Sequence, residues 1–333
     1  MGRHTFTVCG TRTLLDGQLF QVRGLRCSNA LVNDAAADSL IRHLPVFAAY
    51  GVNTVSVFFQ GSRFGDVHGY RRDGTLNPVY AARMGRVIEA ADAWAMVVLV
   101  GCLYWGDSRA KWDIWTQSEA NAAVRNKVAF LGERGYGNAL VDVDNEGMAL
   151  RAKGFDNRAL VLAGKRANPE RVIGTNFKGE PPPEADLGLH FATPVPDKPY
   201  IESEGSAPDT PVGYWGDYSK RDGFYGYLHV GVYTPEMQAS QVGSAADHFD
   251  AGHGYLMAST WLQAPPGQGP RHYPGGDGTV QAPGIRWWLF WLRRRFGPYP
   301  AAPGNIQATR SASHDTSRPI SSHRSLPPKQ EQT

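Results

Sequence analysis

Cysteine is scarce in this chain of 333 residues: Cys9, Cys27 and Cys102 are all there is, and none lies at metal-ligand spacing from another. A sparse, odd set excludes a disulfide framework and fits reduced structural thiols. Charge of one sign is lacking too. The formal net charge is +3, the basic residues are scattered, and the run Arg293-Arg294-Arg295 reads as a solvated helix end. Nucleic acid is therefore not an expected partner. Long hydrophobic runs are missing, since WWLFWL at 287–292 is far too short to cross a bilayer, so no membrane partner is expected either. The opening MGRHTFTVCG has no signal-peptide core, which predicts a cytoplasmic protein, or a secreted one whose signal has been removed. The chain carries no phosphate-binding loop, no G-x-S-x-G elbow and no dinucleotide fingerprint. His68, His248 and His253 show no ligand spacing, so neither metal nor organic cofactor is expected.

What is present is an ordinary globular composition, 42% hydrophobic and 20% charged, arranged as repeated strand-then-helix units. HTFTV and LFQVRGL, separated by a turn at Asp16-Gly17, predict an N-terminal hairpin leading into the first core strand. Leu40, Ile41, Leu44, Phe47 and Tyr50 have helical spacing, and NTVSVFFQ follows as a buried strand. Tyr80, Met84, Val87, Ile88, Ala91 and Trp94 predict one stripe of the next helix, before the near-continuous apolar run MVVLVGCLYW. Residues 118–134 form an amphipathic helix, NALVDVDNE is the fourth strand, a helix follows near 156–165, and RVIGTNF is the fifth strand. Strands at 187–192 and in KPYIESEGS come after connections too short for full helices. Thr234-Pro235-Glu236 starts a helix that leads to YLMASTWLQ, and GIRWWLFWLRRRF closes the ring. The expectation is a (β/α)8 barrel over 1–300 and a disordered tail over 301–333, where Ser, Pro, Gln, His and Arg replace apolar residues.

In such a barrel, chemistry sits at strand ends. VDVDNEGMAL ends a half-buried strand with an amide beside a carboxylate, and neighbours on a regular strand point to opposite faces. Asn145 and Glu146 can share one cavity only if the strand stops there and the chain turns. Glu204 ends the seventh strand, roughly opposite. Two carboxyls about 5–5.5 Å apart suit a retaining glycosidase, one as acid/base and one as nucleophile. Glu202 has the same parity as Glu204 and is its rival, expected deeper in the barrel and paired with a base such as Arg23. Asp142 and Asp144 read as structural, as partners of Arg or backbone.

These residues resemble those of the clan A glycoside hydrolases, the cellulase-like family 5-type barrels, across roughly residues 5–297. Asn145-Glu146 matches the strand-four Asn-Glu, and Lys198-Pro199-Tyr200-Ile201-Glu202-Ser203-Glu204-Gly205 places Glu204 at the nucleophile position. His190 in LGLHF matches the strand-six His, and Trp261 in ASTWLQ the strand-eight Trp. The resemblance implies an oligo- or polysaccharide substrate with a β-linkage. Glu146 would act as acid/base and Glu204 as nucleophile, Asn145 and His190 would position sugar and nucleophile, and Trp261 would form the floor. The chain also departs from the pattern. Ser56 stands where a strand-two Arg is expected, Tyr104 and Trp105 replace a strand-three His, and Phe191 lacks the hydroxyl that often follows the strand-six His. The vacant Arg position keeps open a barrel that binds carbohydrate without cleaving it, and transglycosylation would use the same residues.

Overall fold

The computed structural model describes residues 2–62, 65–104, 115–205, 235–258 and 284–299. A small antiparallel sheet comes first: β1 (Phe6–Cys9), β2 (Arg12–Leu15) and β3 (Gln18–Leu19). The sequence predicts one hairpin here, but Arg12–Leu15 intervenes and pairs with both neighbours. Thr13 and Leu15 alternate inward along it, a half-buried pattern only four residues long and easily read as a turn.

The barrel follows in chain order. β4 (Arg23–Arg26) leads to α1 (Asp34–Ala49), whose cap Asn33 accepts from the Ala36 amide. β5 (Thr54–Phe58) is succeeded by a β6 (Gln60–Ser62) and β7 (Gly65–His68) ribbon and by α2 (Pro78–Asp92), started by Asn77 and a first-turn proline. β8 (Val97–Leu103) and α3 (Gln117–Glu133) come next, α3 opened by a Thr116/Glu119 capping box. Then come β9 (Ala139–Asp144), a 3-10 turn at Asn145–Gly147, α4 (Met148–Lys153) and α5 (Asn157–Ala167). β10 (Ile173–Thr175), β11 (Leu187–Leu189) and β12 (Tyr200–Gly205) follow with no helix between them, as their short connections predict. α6 (Pro235–Asp250), β13 (Gly254–Ala258) and α7 (Arg286–Phe296) complete the described elements.

β4, β5 and β8–β13 pair in parallel and close into an eight-stranded barrel. Its interior is apolar toward the N-terminal end, with Val97, Leu99, Leu140, Leu187, Leu189 and Leu256 meeting Phe6 and Leu15 of the small sheet and Phe20 just after it. The alternate residues Val98, Val100 and Cys102 face the helices, beside Leu40, Leu44, Val87 and Ile88. On α7 itself Trp288 is fully buried, with Trp287 and Trp291 partly buried. Trp94 falls outside the predicted stripe: α2 ends at Asp92, and the indole is exposed. With its lower half sealed by hydrocarbon, the barrel leaves polar side chains only one open end, at the C-terminal ends of the strands. No helix among the described residues is long and apolar enough to cross a membrane.

Candidate active site

β9 stops at Asp144, and the next residue that matters breaks the strand geometry: Glu146 has φ of 52° and Gly147 of 60°. Two successive left-handed residues bring Asn145 and Glu146 to one side, which regular alternation forbids. Gly147 suits that conformation, whereas Glu146 adopts it at a cost of order 1–3 kcal/mol. Asp144 holds the turn in place, accepting from the amides of Ala149 (2.9 Å) and Leu150 (3.1 Å) and from the Asn157 side chain. Its expected structural role is thus visible.

β12 presents its residues through a second irregularity. Glu202 pairs with Tyr255 and Gly205 with Met257, so three steps on β12 match two on β13, as in a β-bulge at Ser203–Glu204. Glu202 and Glu204 both face the mouth, but with different partners. Glu202 lies 2.6 Å from His190 Nδ1 and also accepts from the Tyr200 hydroxyl and the Glu204 amide. Arg23, its expected partner, instead stacks on Phe296 and Tyr299. Parity on β4 explains the difference, because Arg23 and Arg26 are three residues apart and point to opposite faces.

Arg26 is the residue that the sequence reading missed. It is 1% exposed; its Nη2 lies 2.9 Å from Glu204 Oε2 and 2.9 Å from Asn145 Oδ1, and its guanidinium stacks 4.8 Å from the Phe58 ring centre. The arginine expected from strand two is thus supplied by strand one, while Ser56 on β5 is fully buried. Its signal was an inward-facing arginine as the last residue of a barrel strand.

The remaining polar groups form one network. Asn176 donates to Asp142 Oδ2 (3.2 Å) and Asn145 Oδ1 (3.3 Å), and accepts from the Phe191 amide. Asn145 is fully buried; its carbonyl is taken by Arg26 and Asn176, and its Nδ2 lies 3.3 Å from Glu146 Oε1. Tyr104 is buried edge-on to Phe58, with its phenol held well above its ordinary value by burial and then by Glu204 and Glu146. Trp105 and Trp261, the other expected sugar contacts, lie outside the described residues, as does the predicted tail over 301–333.

Glu146, His190 and Glu204 offer donor atoms that all lie within 4.8 Å of one another. Among the described residues they are the one such cluster that could hold a metal ion, but the Arg26 cation at Glu204 already occupies the place of a counter-charge. His190 itself has φ of 34°, a strained strand end facing that of Glu146. Burial opposes its charge, but Glu202, and then Glu204 and Glu146, push it up to about 9, so the imidazole is a cation at neutral pH. Glu202 is correspondingly held below the ordinary carboxylate value: burial opposes this, and His190 outweighs burial. Glu204 goes the other way. Burial raises it, Arg26 opposes and Glu146 adds to the rise, giving about 8. Near neutrality Glu204 therefore still holds a proton, which it must give up before it can attack. A carboxyl pair flanked by the Arg26 and His190 cations can protonate a leaving oxygen and attack the carbon it leaves.

No family model matches the chain, and no curated protein matches it. Among solved structures it is similar to a glycoside hydrolase family 5 protein from Bacteroides vulgatus, with a TM-score of 0.57 and 15% identity over 87% of this chain and 70% of that one. It is similar to a β-glucanase from Saccharophagus degradans, with a TM-score of 0.55 and 13% identity over 89% and 94% of the two chains. A family 5 mannosidase from Rhizomucor miehei gives a TM-score of 0.55 and 11% identity over 88% and 99%. In architecture, the chain is a (β/α)8 barrel of the kind that glycoside hydrolase family 5 structures share.

Proposed function

We propose that this protein is a retaining glycoside hydrolase that cleaves a β-linked oligo- or polysaccharide by double displacement. The observation that carries the reading is the carboxyl pair: the donor atoms of Glu146, His190 and Glu204 lie within 4.8 Å of one another. Retention requires about 5–5.5 Å between the carboxyls, whereas inversion leaves about 6.5–9.5 Å for a water. In the first step, Glu204 attacks the anomeric carbon while the proton of the pair passes from Glu146 to the departing oxygen. In the second, Glu146 takes a proton from water, and that water displaces Glu204 from the same carbon.

Arg26 keeps part of the negative charge on Glu204 before attack, and Asn145 links Arg26 to Glu146 through the two ends of one amide. Supply of this arginine by β4 supports a catalytic barrel over one that only binds sugar, since the vacant strand-two position was the motive for the latter. The β-glucanase and mannosidase similarities support a glycan substrate. The test is a panel of aryl β-glycosides and polysaccharides given to the purified protein. Turnover with retained anomeric configuration supports the reading, and binding without turnover of any member rejects it.

A further inference from the structure

The mouth of the barrel opens beside Glu146 into a cavity of about 610 Å³, lined by Leu150, Arg151, Phe177, Lys178 and Phe191 as well as Glu146 and His190. That volume lies in the range of ligand pockets. Glu204 is not part of its wall. A general acid stands next to the group it protonates, so a cavity that contains Glu146 and leaves out Glu204 lies on the leaving-group side of the scissile bond.

The charges of this cavity are one-sided. Arg151 is 61% exposed, with Nη2 3.7 Å from Glu146 Oε2. Lys178 is exposed and has no acidic partner among the described residues. His190 adds a third cation, and Glu146, the only carboxyl among the described residues of the wall, must carry a proton when it acts as the acid. The apolar part is shaped for a ring: Phe191 is 44% exposed and stacks on His190 at 4.3 Å and 23°, so its outer face is free for a sugar. A neutral sugar needs the aromatic face but not two exposed cations beside it.

We infer that this cavity is the leaving-group subsite for an acidic saccharide, whose departing sugar carries a carboxylate or sulfate held by Arg151 and Lys178 while its ring lies on Phe191. The inference rests on the hydrolase reading for the identity of the leaving-group side, but not for the existence of the anion site. Planar guanidinium suits either anion in a two-pronged contact, and the ammonium adds a point charge. Both groups are solvent-exposed, so the preference is modest and weakens with salt.

The experiment is titration calorimetry on the Glu204→Gln protein with three β-linked disaccharides: one ending in glucuronic acid, its neutral glucose counterpart, and the 6-O-sulfated form of that counterpart. The expected result is about tenfold tighter binding of at least one acidic sugar than of the neutral one, shrinking as sodium chloride is raised. Which acidic sugar is favoured separates carboxylate from sulfate as the natural group. Arg151→Gln with Lys178→Gln should bring the ratio to about one, whereas Arg151→Lys with Lys178→Arg should keep most of it. Equal affinity for acidic and neutral sugars, no binding of any, or a preference that survives the double glutamine variant overturns the inference. Turnover of aryl glycosides is measured separately on the unaltered protein, so failure of the hydrolase reading shows as lack of turnover and failure of the anion site as a flat ratio.

Discussion

Replacing Arg26 by Met keeps most of the side-chain volume and removes the one cation that, among the described residues, touches Glu204 Oε2, at 2.9 Å. An arginine beside a carboxylate typically lowers its pKa by about 1–3 units, and each unit is about 1.4 kcal/mol. Glu204 already stands at about 8 with Arg26 in place, because burial and Glu146 outweigh it. Without Arg26 it rises further, and the fraction ionised at pH 7 falls by roughly 10- to 1000-fold. Turnover should fall by the same factor. The diagnostic assay uses a dinitrophenyl β-glycoside, whose leaving group needs no proton from Glu146. On that substrate the deficit should narrow as pH rises toward 9 or 10, since hydroxide restores the carboxylate that Arg26 no longer favours. A buried carboxyl left without its partner costs about 3–5 kcal/mol unless it takes up a proton, so folding is checked by circular dichroism and Arg26→Lys serves as the milder variant. Activity within threefold of the parent at pH 7, or a deficit that is the same at every pH, would refute the reasoning.

Three more expectations follow from the same geometry. Glu204→Gly should lose at least about 10³-fold in hydrolysis, and sodium azide should restore turnover as a β-glycosyl azide, measured by chromatography; full activity in that variant would move the nucleophile elsewhere. Glu146→Gln should nearly stop cleavage of natural glycosides while sparing dinitrophenyl glycosides, and an equal loss on both would remove Glu146 from the acid's role. Glu202→Gln should lower the His190 titration, read by NMR, well below about 9, because burial is then opposed only by the smaller effects of Glu204 and Glu146. The sign for stability follows. Because the native state raises His190, its contribution is full below 6.5 and lost as pH rises through about 9. The melting temperature of the parent should therefore decline from pH 6.5 to 9, and this part of the decline should shrink in Glu202→Gln.

The barrel was legible in the sequence because its signals are local. β-branched runs such as TVSVF and VVLVGCL need no knowledge of their neighbours to be read as buried strands. The same is true of Glu146 and Glu204, which are visible as carboxyls where an apolar run ends. Partner choice was not local. Arg26 acts on Glu204 from a strand 178 residues away in sequence, whereas the family resemblance points to strand two, where Ser56 stands. Glu202 was expected deeper in the barrel with a base such as Arg23, but β4 turns Arg23 outward, and His190, just past β11, is its partner at 2.6 Å. The left-handed backbone at Glu146 and His190 could not be read at all, since neither residue type announces positive φ as glycine does. The stripe that wrongly included Trp94 shows the opposite failure, a periodicity carried past the helix end at Asp92.

The central claim, that Glu204 forms a covalent bond to sugar with Glu146 as its acid, is tested most directly by trapping that bond. Incubation with a set of dinitrophenyl 2-deoxy-2-fluoro-β-glycosides of gluco and manno configuration, followed by peptide mass spectrometry, reads the labelled residue. The electronegative fluorine slows both steps, and the good leaving group speeds only the first, so the intermediate accumulates. The account predicts one sugar per chain, attached to the peptide containing Glu204 and absent in Glu204→Gln. A label on Glu202, or inversion of the anomeric centre by an active enzyme that takes no label, would contradict it.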